Sequence, residues 1–147
     1  MTACVIINGN NPMVVPRCPS PYGSPMSASP LRILICEDES LIALGLCAIV
    51  EDAGHIVCDT CATAVEAVAA AITHRPDLVL MDVMLRGGED GIAAALEIRQ
   101  RLDIPCLFMS AVDAPAVRDR MAGARPLGFI AKPYRPADLL QQLQRLV

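Results

Sequence analysis

The sequence predicts an α/β fold, a doubly wound five-stranded parallel sheet with helices on both faces. Two observations predict it. Five short, nearly continuous apolar runs recur at LRILIC (31 to 36), HIVC (55 to 58), LVLM (78 to 81), CLFM (106 to 109) and GFIA (128 to 131). Apolar runs without alternation mark strands covered on both faces, as in a parallel sheet. Helical patterns lie between them, so each strand starts 22 to 28 residues after the last, the spacing of strand-helix units joined by right-handed crossovers.

The elements follow in order. Residues 1 to 29 carry five of the twelve prolines and a single charge, Arg17, and read as a disordered tail. Met26 offers an alternative translation start, which would make the preceding residues an over-called leader. The folded domain is expected over residues 30 to 147. After the first strand, the segment 41 to 53 places Ile42, Gly45, Leu46 and Ile49 on one helix face and stops at Gly54. The next helix opens with a capping box, Thr63 with Glu66, and its stripe of Val65, Val68, Ala69 and Ile72 is expected to face the core. A third carries Ile92, Ala95, Leu96 and Leu102; a short fourth is opened by Asp113 and Pro115; a fifth starts at Pro136 with Leu139, Leu143 and Leu146 inward. Five such units take the flavodoxin-like strand order 2-1-3-4-5 by default.

Composition narrows the function classes. The chain has 147 residues, a net charge of -4, 3% aromatics and no Trp, and so lacks the basic face and stacking side chains of a direct nucleic-acid reader. Its longest apolar run, Leu41 to Val50, is too short to span a membrane, and the N-terminus lacks a basic segment like that of a secretory signal. The expectation is a cytoplasmic protein. Seven cysteines, mostly inside apolar runs, read as core; Cys58 and Cys61 have C-x-x-C spacing, but no second pair completes a zinc set.

The polar residues fall where such a sheet binds ligands, beyond the carboxyl ends of its strands. Strand 1 ends in Glu37, Asp38 and Glu39, strand 3 in Asp82, strand 4 in Ser110 and strand 5 in Lys132. Taken singly, acids and serines at such junctions are commonly helix caps; four chemistries on one edge are a site. Carboxylates gathered at roughly 4 Å cost about 4 kcal/mol per like pair at an effective dielectric near 20, so a cation is required there. Few, hard oxygen ligands suit Mg²⁺. With Lys132 and the Ser110 hydroxyl on the oxygens of a transferring phosphoryl group, Asp82 becomes the nucleophile of an aspartyl phosphate. Lys132 is the only lysine among twelve basic residues.

The motifs ICEDE (35 to 39), LVLMD (78 to 82), FMSA (108 to 111) and FIAKPY (129 to 134) resemble those of the receiver domain of two-component response regulators, over about residues 31 to 147. The resemblance implies Mg²⁺ held by Asp38, by Glu37 largely through water, by Asp82 and by the backbone carbonyl of Met84. It implies Asp82 as phosphoacceptor, Ser110 as switch hydroxyl, Phe129 as switch aromatic, and a cis bond before Pro133. Three features depart from the usual pattern. The loop MLRGGEDG has a Gly pair in place of a proline and one extra residue, Ser stands at 110 instead of Thr, and GARPLGF lengthens the approach to Phe129, predicting a short fourth helix.

The reading is therefore a single-domain response regulator, a phosphoacceptor and not an enzyme. Its expected partners are a sensor histidine kinase or histidine phosphotransfer protein docking on the helix from Leu41, and a downstream protein; a homodimer is left open. Two rivals remain. One is an aspartyl-phosphate phosphatase, but such enzymes place an acid two residues after the nucleophile, where this chain has Met84. The other is a receiver-like binding module that signals without phosphorylation, against which the intact acids, Ser and Lys argue.

Overall fold

All five apolar runs become strands: those at 32–36, 78–82 and 106–110 are buried on both faces for nearly their whole length, whereas those at 56–61 and 128–131 are partly exposed edges of the sheet. In the computed structural model, which describes residues 4–8, 11–15 and 30–146, β3 (Arg32–Cys36), β4 (Ile56–Cys61), β5 (Leu78–Asp82), β6 (Cys106–Ser110) and β7 (Gly128–Ala131) form one parallel sheet in the order β4-β3-β5-β6-β7. Counted from β3 this is 2-1-3-4-5, the order the sequence predicts. The crossovers are α1 (Ser40–Asp52), α2 (Ala64–His74), α3 (Gly91–Leu102) and α4 (Pro115–Ala122), with α5 (Pro136–Arg145) after the last strand. Alternate strand residues divide the core into two layers. Leu34, Val79, Met81 and Phe108 pack under α2, α3 and α4, whereas Ile33, Ile35, Leu80 and Leu107 pack under α1 and α5.

Two further strands lie within the stretch read as a tail. β1 (Cys4–Asn8) and β2 (Asn11–Val15) pair antiparallel, with Cys4 opposite Val15 and Asn8 opposite Asn11. Val5, Ile6, Ile7, Val14 and Val15 are the β-branched residues that favour strands. The rest of residues 1–29, and with it the alternative start at Met26, lies outside the described residues, as does residue 147.

Local sequence is overridden in three places. On α2 three of the four expected inward residues face out: Val65 is 74% exposed and Ala69 and Ile72 are exposed, whereas Val68 is half-buried against the core and Ala67, Ala70 and Ala71 are buried. Small side chains let the helix axis approach the sheet closely, and that contact outweighs the larger but more distant apolar set. The capping box is also altered. Thr63 accepts from Glu66 N at 3.2 Å, but the Glu66 carboxylate turns to Ala62 N at 3.0 Å. Finally, Asp113 does not cap α4, whose N-cap is Ala114; its carboxylate is taken by Arg118. The helix is short, eight residues, as the sequence predicts.

Cys36, Cys61 and Cys106 are buried free thiols, and burial pushes the Cys106 thiol up to about 12. Cys61 lies 3.3 Å from Cys36 across the strands, Sγ to Sγ. No helix among the described residues is long and apolar enough to cross a membrane.

His55 ties the entry of β4 to that of β3, its Nδ1 accepting from Leu31 N at 3.1 Å. Burial lowers its pKa, so the folded state favours the neutral ring that can accept this bond. The unfolded chain then binds the extra proton first, and the His55 contribution is present above the ordinary histidine value of about 6.5 and is lost as pH falls through the lower folded value. His55→Gln is expected to flatten the fall of stability on the acid side of that value in chemical denaturation. Parallel stability-pH curves for the two proteins would rule the assignment out.

Candidate functional site

The site is assembled from the carboxyl ends of the adjacent strands β3 and β5, that of β7 beyond β6, and the loops that leave them. Glu37 and Asp38 follow β3, Asp82 ends β5 and Lys132 follows β7. In-register pairing sets their heights: Cys36 lies opposite Met81, Asp82 opposite Met109, and Ser110 opposite Ala131. Carboxylate oxygens of Glu37, Asp38 and Asp82 come within 4.8 Å of one another. Glu37 is 3% and Asp82 6% exposed, so water does little to separate these charges.

Much of the repulsion is relieved by the lysine. Lys132 Nζ donates to Asp82 Oδ2 at 2.8 Å and to Glu37 Oε2 at 2.9 Å. Burial works against the ammonium, but the bonds and charges of Asp82 and Glu37 outweigh it and raise the Lys132 pKa. Burial is the larger influence on Glu37, whose carboxyl is pushed up to about 7 although Lys132 and Glu39 N pull it the other way. Asp82 Oδ1 accepts from Met84 N at 3.1 Å, which fixes the carboxylate relative to the loop that follows.

The remaining residues singled out in the sequence lie close by without joining the cluster. Ser110 is buried at the same edge, with its hydroxyl accepting from Val112 N at 3.0 Å and donating to Val112 O at 3.2 Å. Phe129 is half-buried against the α4 side of the core. Met84 is exposed and joined to Asp90 by an isolated bridge. The peptide bond between Lys132 and Pro133 is cis.

Among the supporting residues, Gly91 and Arg120 have no chemical signature and were not evident in the sequence, whereas Asp90 takes the helix-cap place that the loop after Asp82 was expected to reach. Gly91 opens α3 directly against β5: its N–H donates to Val83 O at 2.9 Å, and a Cβ built on it would stand 1.9 Å from the Asp82 carbonyl oxygen. Asp90 caps α3 through Ile92 N at 2.9 Å and also receives Arg120 of α4. Burial would raise the Asp90 pKa, but Arg120 and the amides outweigh it and lower it. A cavity of ≈ 380 Å³ lined by Glu37, Asp38, Leu44, Cys47 and Arg86 opens beside the acids.

The donor set fits a magnesium ion. Its three carboxylates are hard oxygen ligands, close enough to share one small cation, and among the described residues they form the group suited to hold a metal.

A parallel five-stranded sandwich with acids and a lysine gathered at one sheet edge has the architecture of a signalling receiver. The family model described as response regulator receiver domain matches residues 33–144. The chain is 33% identical over 121 residues to the transcriptional regulatory protein PdtaR of Mycobacterium tuberculosis, covering 82% of this chain and 58% of that protein. It is 38% identical over 111 residues to the phyllosphere-induced regulator PhyR of Methylorubrum extorquens, covering 74% of this chain and 40% of that one. Among solved structures, the Vibrio cholerae chemotaxis protein CheY4 superposes with a TM-score of 0.74 at 25% identity, over 81% of this chain and 100% of that chain. The chain belongs to the response regulator receiver family of two-component signalling, whose members are not in general enzymes. It spans about half the length of the curated relatives it matches.

Proposed function

We propose that the protein accepts a phosphoryl group on Asp82 from a phosphohistidine of a sensor histidine kinase or histidine phosphotransfer protein, and that the modified form binds a downstream protein. The observation that carries this reading is a nearly buried Asp82 held by Lys132 Nζ at 2.8 Å within an acidic cluster. Carboxylates of Glu37, Asp38 and Asp82 and the main-chain carbonyl of Met84 would hold Mg²⁺, which when bound offsets the negative charge of the phosphoryl oxygens. Asp82 Oδ forms the new bond to phosphorus as the phosphorus-nitrogen bond breaks, and the departing imidazole takes up a proton. Lys132 follows the incoming charge onto the phosphoryl oxygens, and Ser110 turns its hydroxyl from Val112 toward them. Phe129 then moves into the space that Ser110 leaves, and the shifted surface is read by the partner.

Docking of the donor on α1 is supported by Leu41 and Leu44, which are 85% and 71% exposed at the helix end nearest the acids. The phosphatase alternative lacks its acid, because position 84 is an exposed methionine whose N–H serves Asp82. With Mg²⁺ and a small phosphodonor, intact mass is expected to show one added phosphoryl group on the wild type and none on Asp82→Asn. Equal labelling of the variant would exclude Asp82 as the acceptor.

A further inference from the structure

The switch hydroxyl and the switch aromatic are connected through a side chain that lies outside the acidic site. Both bonds of the Ser110 hydroxyl go to Val112 in the loop after β6. The next residue, Asp113, receives Arg118 of α4 through both carboxylate oxygens, from Nε and from the terminal nitrogen at 3.1 Å. That guanidinium lies over the ring of Phe129, its Cζ 5.1 Å from the ring centroid, within cation-π range. Phe129 is the partner of Phe108 in the pairing of β7 with β6, two residues before Ser110. The contacts therefore close a path from Ser110 through Val112, Asp113 and Arg118 to Phe129.

We propose that Arg118 is the positioning residue that couples the Ser110 hydroxyl to the Phe129 ring, through its two-pronged grip on Asp113. While Val112 holds Ser110, the loop presents Asp113 to Arg118, and the guanidinium keeps the ring in its resting place. When Ser110 turns toward a phosphoryl group on Asp82, both bonds to Val112 break. The loop then loosens, Asp113 lets go of Arg118, and the ring is free to move. The inference rests on the reading of Asp82 as phosphoacceptor and of Ser110 with Phe129 as the switch. Both contacts of Arg118 face solvent and are individually weak, so together they bias the equilibrium by about 3- to 10-fold.

The test is the affinity of the full chain for beryllofluoride, a tetrahedral phosphoryl mimic, in the presence of Mg²⁺. Removing the clamp raises the energy of the resting form alone, so Arg118→Ala is expected to bind the mimic about 3- to 10-fold more tightly. Asp113→Asn should do the same, and the double variant should gain no more than either single change, because both act through one contact. Arg118→Lys keeps a cation but not the two-pronged grip, and its gain should be smaller than that of Arg118→Ala. The chain has two phenylalanines, so the Phe129 ring resonances can be assigned, and without ligand they should shift in Arg118→Ala toward their liganded wild-type position. Unchanged affinity with unmoved ring signals, or gains that add in the double variant, would overturn the coupling. If the wild type binds in an Asp82-dependent way and the Arg118 and Asp113 variants match it, the coupling alone fails. If Asp82→Asn binds the mimic as well as the wild type, the phosphoacceptor reading fails, and the coupling with it.

Discussion

Lys132→Met is expected to be among the most destabilising single changes in this protein, costing about 3–5 kcal/mol at neutral pH, because it strips the shared partner from two buried carboxylates. Lys132 Nζ is the cation recorded on both Glu37 and Asp82, and neither acid has enough exposure to recruit water in its place. The cost is expected to depend on pH with a definite sign. In the wild type the Glu37 carboxyl is already raised from 4.5 to about 7, so the folded state holds a proton that the unfolded chain releases, and stability falls as pH rises through that window. Without the ammonium the folded value rises further and the window extends to higher pH. Chemical denaturation on either side of neutrality should therefore show a larger deficit on the alkaline side. Phosphoryl uptake from a small donor should slow by roughly 10²–10³-fold, the scale of losing one charge stabiliser in a water-poor site. A variant within about 1 kcal/mol of wild type at every pH would mean that the ion pairs contribute little net stability.

Gly91→Ala should produce the second large effect, and through the backbone instead of charge. The added methyl would stand 1.9 Å from the Asp82 carbonyl oxygen, 3.0 Å from its carbonyl carbon and 3.2 Å from Val83 Cα. None of these is the tip of a flexible side chain. Relief requires α3 to move away from the end of β5, which stretches the bond from Gly91 N to Val83 O and shifts the residue that carries the phosphoacceptor carboxylate. A loss of about 3 kcal/mol or more is expected, at the upper end of overpacking effects. In protein that folds, a displacement near 1 Å should lower the rate of phosphoryl uptake by about 10²-fold. Gly45→Ala is the matched control: nothing lies within 4 Å of its added carbon, and α1 should gain about 0.5–1 kcal/mol from the change. Equal stability of the two variants would show that the backbone contact at Gly91 relaxes freely.

The two predictions separate the ways in which the site could be read from sequence. The acids and Lys132 carry their chemistry in their side chains, and the strand pattern alone was enough to bring them to one edge. Gly91 carries nothing but the absence of a Cβ, and only the approach of α3 to the end of β5 gives that absence a meaning. Arg118 and Arg120 belong to the same group. Both look like solvated residues of a short polar helix until Asp113, Phe129 and Asp90 are found beside them.

Lys132 itself was legible only in part. Its place at the end of the fifth strand follows from the apolar run before it, but its choice of Glu37 and Asp82 as partners depends on side-chain reach between strands 50 and 95 residues apart in sequence. The outward turn of Val65 and Ile72 on α2 has a comparable origin. A helical stripe shows which residues share a face, whereas the face that is buried depends on how closely the sheet lets the helix approach, and here the alanine face fits.

By itself the sequence determined the strand order, the crossovers and the edge on which the acids, Ser110 and Lys132 collect, because these follow from short-range apolar periodicity and from the handedness of connections. Only the tertiary structure decided which carboxylates share the ammonium, which face of α2 is buried, where Ser110 turns its hydroxyl and what Arg118 covers. Those outcomes depend on distances of a few ångströms between residues remote in the chain, where sterics, burial and charge compete at similar strength.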